Sequence, residues 1–247
     1  MERKFFLKRG IAALGVAFVA PLVNSCKKDS EVTGTDTTSS TTTTNTTTTT
    51  GSGSCTVSPS ETAGPFPTKT PSSLVTADIR SDRTGVAFTI KITISNTNSS
   101  CAALAGAIVD IWHCDAAGNY SEYGGSSMQT TDYTSVHFLR GRQTTDANGL
   151  VTFTSIFPGW YSGRAPHIHV HVYNSSGTSL LVTQIAFPTD VCNTVYTTAT
   201  TYYTKGTQDT SNTSDNVFSD SLANELATVT GSVADGYTLT HIISAAG

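Results

Sequence analysis

From Val86 to Ser95 the chain alternates strictly: Val86, Phe88, Ile90, Ile92 and Ile94 are apolar, and the residues between them are smaller or polar. A period of two marks a strand with one buried face. Gly106 to His113, Leu150 to Ile156, His167 to Tyr173, Leu180 to Phe187 and Tyr237 to Ile243 read the same way. Turn-forming runs separate them: Asn96-Thr97-Asn98, Ala117-Gly118-Asn119, Asp146-Ala147-Asn148-Gly149 and Asn174-Ser175-Ser176-Gly177. Helical periodicity is weak and confined to Ser219 to Ala227, where a short helix is expected. The stretch from Asp190 to Asn224 has no strong pattern and is expected to wrap the domain. Six or more strands without an internal repeat predict an all-β fold, a single β-sandwich with long functional loops over residues 55–247.

Upstream of the strands the pattern changes twice. Arg3, Lys4, Lys8 and Arg9 form a basic segment, and Gly10 to Val23 an apolar run. That run is too short for a hydrocarbon core that needs about 20 residues, so residues 1–25 read as an export signal. Val23-Asn24-Ser25-Cys26 resembles the lipobox of bacterial lipoproteins, which implies lipidation at Cys26. Arg3-Lys4-Phe5-Phe6-Leu7-Lys8 resembles a twin-arginine signal with lysine for the second arginine. Residues 26–54 are rich in Thr and Ser and nearly free of apolar side chains, which predicts a disordered tether. The expected product is an exported lipoprotein of the bacterial cell envelope, touching the membrane only through its lipid anchor.

Composition narrows the classes further. Charged residues make up 13% of the 247-residue chain, about half the usual share, which argues against coiled coils and long helical bundles. The formal charge is −4; without residues 1–25, 10 basic and 17 acidic residues remain, giving −7. No basic surface for nucleic acid is expected. With Cys26 taken as the lipid anchor, Cys55, Cys101, Cys114 and Cys192 remain, an even number that predicts two disulfides in an exported chain. Direct pairing of Cys101 with Cys114 is disfavoured, because they flank one predicted strand.

The candidate chemistry lies between Ile108 and Phe187. His167, His169 and His171 alternate along one predicted strand and share a face, opposite Ile168, Val170 and Val172. His-X-His on a strand is a common source of two metal ligands. No Asp or Glu lies between Asp146 and Asp190, so a two-histidine, one-carboxylate site is disfavoured. Tyr120 and Tyr161 are the available oxygen donors, with Tyr123 the alternative to Tyr120. A phenol ordinarily ionises near pH 10, but a highly charged cation displaces its proton. Two phenolates with two imidazoles suit Fe(III).

Several ordered motifs then resemble one family. Ile108-Val109-Asp110-Ile111-Trp112-His113-Cys114-Asp115-Ala116 with Gly118-Asn119-Tyr120 is similar to the first iron-tyrosine segment of intradiol ring-cleavage dioxygenases, the family of catechol and protocatechuate dioxygenases. Phe138 to Gln143, Ile156 to Tyr161, Arg164 to His169 and Thr183 to Phe187 continue the likeness in order. Glu61-Thr62-Ala63-Gly64-Pro65-Phe66 resembles the segment lining the family's substrate pocket. The resemblance implies an oxidoreductase that uses Fe(III) and O2 to cleave a catechol-type ring between its hydroxyl-bearing carbons, giving a muconate-type diacid. It implies Tyr120, Tyr161, His167 and His169 as ligands, with Tyr161 also a base and switchable ligand. Arg164 and Gln184 would be catalytic and substrate-binding, and Gly64 and Pro65 substrate-binding. His171 would be a neighbour of the site or surface, and His113 and His137 structural or solvent-facing. Residues 120–137 are shorter and richer in Gly and Ser than the resemblance leads one to expect, which leaves the substrate open. The competing readings are a non-catalytic exported sandwich binding carbohydrate or protein, and an iron-loaded relative with a non-catechol substrate.

Overall fold

A computed structural model describes residues 55–247. The expected signal, Cys26 and the tether lie outside these residues. Two sheets face each other, as the alternation predicts. The first holds β1 (Ala87–Asn96), β2 (Ala102–Ala103), β5 (Leu150–Ile156), β8 (Thr228–Ser232) and β9 (Gly236–Ala245). In it β1 pairs antiparallel with β5 and β2, and parallel with β9, which carries β8 on its other side. The second sheet has the order β4-β3-β6-β7 and is wholly antiparallel, with β3 (Ile108–Trp112), β4 (Arg140–Thr144), β6 (His167–Tyr173) and β7 (Ser179–Ala186).

The core fills the space between the sheets. Phe88, Ile90, Ile92 and Ile94 of β1 meet Val109, Ile111, Ile168, Val170, Val172 and Ile185 of the second sheet in one buried cluster. Each such side chain contributes roughly 1.5–3 kcal/mol by leaving water. Because Ile168, Val170 and Val172 take the inner face, strand alternation sends His167, His169 and His171 to the outer one. That outer face is covered. The segment from Glu61 to Leu74 crosses it, held by bonds from Glu61 N to Val182 O (2.8 Å) and Arg142 N to Leu74 O (2.8 Å). His167 and His169 therefore sit buried between a sheet and a strap, whereas His171 stays half-exposed.

Three expectations need correction. Cys55 and Cys101 form a disulfide, but Cys114 and Cys192 are buried free thiols. Cys114 packs with Phe66, Trp112 and Tyr120, whereas Cys192 belongs to the main core, so each is used as a small apolar side chain. The helix expected at Ser219 to Ala227 is only the 3-10 turn Leu222–Asn224. The α-helix of the domain is α1 (Thr189–Thr198), inside the stretch that had no strong pattern. Its buried face is Cys192, Val195 and Tyr196 alone, set among threonines, too few apolar positions to announce a helix. Among the described residues no helix is long and apolar enough to cross a membrane.

His113, expected as structural or solvent-facing, is buried, with Nδ1 bonded to Cys114 O and Nε2 to Ser155 Oγ, both at 2.8 Å. Burial pushes it down to about 4, and His241 likewise to about 4. An unfolded chain protonates such residues near pH 6.5, so between these values the unfolded state binds more protons. Their contribution to stability is complete above about pH 6.5 and is lost as pH falls toward 4, by on the order of 1 kcal/mol per pH unit and residue. Urea denaturation at about pH 7 and about pH 5 should show the lower midpoint at the acidic value. Equal midpoints would refute the assignment.

Candidate active site

Tyr120 reaches the histidines because the chain turns sharply after β3. Asp115 Oδ1 accepts from Ala117 N (3.0 Å) and Asn119 N (2.9 Å), and Gly118 takes the left-handed backbone the turn needs, at φ +88°. Gln129 then clamps the Tyr120 backbone from both sides: its Oε1 accepts from Tyr120 N (2.6 Å) and its Nε2 donates to Tyr120 O (2.8 Å). The result is convergence. Tyr120 Oη lies 3.2 Å from His167 Nε2 and 3.4 Å from His169 Nε2, and the two Nε2 atoms are 3.0 Å apart.

Each partner is held in place. His167 Nδ1 donates to Ala165 O at 2.6 Å; a carbonyl only accepts, so Nε2 keeps its lone pair. Register pairs Trp112 with His169 across β3 and β6, and the indole stacks on the imidazole at 4.9 Å with 3° between planes. Gly64, at φ +68°, closes the far side of His169, and a Cβ there would sit 2.9 Å from His169 Cε1. Phe66 stacks on Tyr120 at 4.9 Å. His169 Nδ1 is buried with no hydrogen-bond partner among the described residues.

Electrostatics favour ligands over acids. Burial, reinforced by Arg164, pushes His167 down to about 3, and burial with His167 beside it pushes His169 well below the usual histidine range. Both imidazoles are neutral Lewis bases at neutral pH. Burial raises the Tyr120 phenol well above its ordinary value, so only a strong cation would ionise it. The donor separations test the fit. Bonds of about 2.1 Å put neighbouring ligands of one ion roughly 3.0–3.4 Å apart, the spacing found among these three atoms. The site therefore fits a metal ion. No group of three or more His, Cys, Asp or Glu placed for a metal occurs among the described residues; the convergent set depends on a phenol.

The other expected residues divide. Tyr161 borders the cavity, its ring 6.2 Å from that of Tyr120, but its hydroxyl turns away and donates to Met128 O at 2.8 Å. It is not part of the converging trio. Tyr123, the alternative to Tyr120, donates to Pro67 O at 2.6 Å. Gln184, expected to contact substrate, is fully buried, with Nε2 donating to Thr62 O (2.8 Å) and Oε1 accepting from Arg164 Nη2 (2.7 Å). Both ends of its amide are engaged, so it positions Arg164 and the strap. Gly64 likewise backs His169 rather than lining the cavity, whereas Pro65 does line it. His171 bonds to Ser179 Oγ (2.7 Å) and Tyr173 Oη (2.8 Å), outside the cluster. His137 bonds to Glu122 at 2.8 Å.

The cavity measures about 230 Å³ and is lined by Pro65, Phe66, Tyr120, Tyr161, Arg164 and both histidines, with Ser162 and Gly163. A broader hollow of about 720 Å³ on the outer face of the first sheet gathers no comparable donor set. Two contributors were not legible in the sequence: Gln129, and Asp215, which holds Arg164 from the segment without pattern. Neither sits in a motif, and their burial arises only on folding.

The sequence profile of a family described as dioxygenase matches residues 64–214. Chlorocatechol 1,2-dioxygenase of Rhodococcus opacus is 30% identical over 146 residues, 51% of this chain and 52% of that protein. The chain thus spans about half the length of this curated relative. An intradiol ring-cleavage dioxygenase from Tetranychus urticae superposes with a TM-score of 0.68 at 26% identity, over 77% of this chain and 95% of the other. The dioxygenase domain of a carbohydrate-binding fusion protein from Streptomyces sp. SirexAA-E gives 0.56 at 25% identity, over 76% and 97%. With the profile spanning more than half of the chain, the protein belongs to the dioxygenase family, whose structural neighbours here are intradiol ring-cleavage enzymes.

Proposed function

We propose that this protein is a non-haem Fe(III) dioxygenase that cleaves a catechol-type ring between its hydroxyl-bearing carbons with O2, giving a muconate-type diacid. The observation that carries the reading is the convergence of Tyr120 Oη with His167 Nε2 and His169 Nε2 at 3.0–3.4 Å. These three side chains would hold the iron, with Tyr161 as an exchangeable fourth. Iron bound there would supply the Lewis acidity and redox chemistry that bring an aromatic diol and O2 to reaction.

The protein's own part follows from its side chains. Pro65 and Phe66 give the cavity flat apolar walls, and its volume of about 230 Å³ suits one aromatic ring with a small substituent. Ionised as a ligand of that iron, Tyr161 would be able to take up the proton of a diol hydroxyl; as the neutral phenol it donates to Met128 O at the rim. Arg164 stands at the wall with Nε and Nη2 engaged and Nη1 without a hydrogen-bond partner among the described residues, so that Nη1 can donate a hydrogen bond to an oxygen of the bound diol. The strap from Glu61 to Leu74 keeps water off the histidine face.

The lipoprotein reading belongs to the same proposal. It is supported by the lipobox-like segment at Cys26 and by the Cys55–Cys101 disulfide, a bond that persists in oxidising compartments.

Metal analysis with a visible spectrum tests the reading. Purified protein should carry stoichiometric iron, show a tyrosinate-to-iron charge-transfer band that shifts on adding catechol, and consume oxygen with members of a catechol panel. Tyr161→Phe should shift and weaken the band; an unchanged spectrum would remove Tyr161 from the ligand set. A protein that stays colourless and metal-free after iron loading would overturn the proposal.

A further inference from the structure

Among the described residues Arg164 is the sole cation lining the cavity, and it is engaged by Asp215. Its Nε lies 2.8 and 3.1 Å from the two oxygens of Asp215, whose side chain is fully buried. The same carboxylate accepts from Ala165 N (2.7 Å) and Val217 N (2.9 Å), so it cannot turn away from the guanidinium. Ala165 is also the residue whose carbonyl orients His167. One buried carboxylate thus fixes the cation at the cavity wall and the strand entry behind the histidines.

Two further carboxyl groups, Glu61 and Glu225, stand near Asp215. Glu61 interacts with Asp220, Arg164 and Asp215, and burial together with Asp220 raises its carboxyl above the usual range. Glu225 is 1% exposed, with Ser221 Oγ on one oxygen (2.7 Å) and no partner for the other. Burial, with Glu61, Asp220 and Asp215 nearby, pushes it up to about 7. The other cations of the histidine side are engaged elsewhere: Arg142 pairs with Asp110, Arg140 is buried beside Glu122, and Lys69 donates to Glu122 O. A carboxylate entering the cavity on a ring substituent would lose its hydration and find no uncompensated cation among the described residues.

We propose that Asp215 is a positioning residue that fixes Arg164 and cancels its charge toward the cavity, so that the site selects uncharged aromatic diols over those bearing a carboxylate. The inference rests on the catechol reading above and names the substrate class within it. It also gives Asp215 a role distinct from holding the fold. A purely structural carboxylate would affect all ligands alike, whereas a charge-cancelling one changes the ratio between charged and neutral ligands.

Anaerobic calorimetric titration of the iron-loaded protein with 4-methylcatechol and 3,4-dihydroxybenzoate reads that ratio without turnover. The wild type should bind the neutral diol at least ~10-fold more tightly, which corresponds to ~1.4 kcal/mol. Asp215→Asn should shrink the preference about tenfold by freeing the charge of Arg164. Glu61→Gln, on the strap, should shrink it by a smaller factor and serves if Asp215→Asn does not fold. Equal or tighter wild-type binding of the carboxylate overturns the inference and leaves the catechol reading standing. So does an Asp215→Asn effect that is the same factor for both ligands. Iron-loaded protein that binds neither diol overturns the proposed function, and this inference with it.

Discussion

Tyr120→Phe should remove the charge-transfer band and lower ring-cleavage turnover by at least ~100-fold, since losing even the outer partners of metal ligands costs about 10–100-fold. The phenol is 2% exposed and its oxygen faces both imidazoles, so no neighbouring side chain can take over. The variant should still fold. Phe66 stacks on the ring and Gln129 holds the backbone, and neither contact involves the hydroxyl. Tyr123→Phe is the matched control: its hydroxyl meets only Pro67 O, so band and turnover should stay within about twofold of wild type. Iron content, the visible spectrum and oxygen uptake measured together decide the matter. A Tyr120→Phe protein that keeps its colour would sink the ligand set built around Tyr120.

Arg140→Met should cost about 3–5 kcal/mol of stability, the usual penalty for removing one partner of a buried charged network. Arg140 is 2% exposed and ties three parts of the site side together. It donates to Phe66 O (2.9 Å) and Thr68 Oγ1 (3.1 Å) of the strap, and to Ser121 Oγ (2.9 Å) and Ser121 O (2.6 Å) beside Tyr120. Glu122 lies 3.7 Å away and is buried as well. Burial pulls the guanidinium down to about 10, which still leaves it charged at neutral pH. Methionine would leave two carbonyls without donors and strip Glu122 of a compensating cation. Urea denaturation checks the size of the loss. A change below about 1 kcal/mol would mean that Lys69 and His137 alone satisfy Glu122.

Strand content was legible because alternation is local. Leu150–Ile156 and His167–Tyr173 fall where the pattern puts them, and the inward turn of Ile168, Val170 and Val172 fixes the side taken by the histidines. β4 was missed because Arg140-Gly141-Arg142-Gln143-Thr144 is polar on both faces; it is a strand because β3 pairs with it. Gly141 fits there for a tertiary reason too, since a Cβ would run into Ile79. α1 was missed because only three of its ten residues are buried.

The site was partly legible. His-X-His and the motif around Tyr120 identified three converging side chains, and the structure brings them together. Tyr161 and Gln184 were read from the same likeness, yet the hydroxyl of one points to Met128 and both amide ends of the other are already bonded. Identity in a motif carries residue type and approximate place. It does not carry the rotamer, which neighbours outside the motif select.

By itself the sequence determined an all-β sandwich, a histidine-bearing strand face and the family likeness. All of these rest on periodicity or on short ordered motifs, which the chain displays without folding. The tertiary structure decided that the histidine face is roofed by the strap, that Cys114 and Cys192 stay apart, and that Tyr120 rather than Tyr123 meets the imidazoles. It also decided that Asp215 pairs with Arg164. Each of these depends on groups brought together from 9 to more than 100 positions apart, such as Gln129 on Tyr120, Asp215 on Arg164 and Gln184 on Thr62. Such contacts follow from strand register and burial, and no local pattern in the chain encodes them.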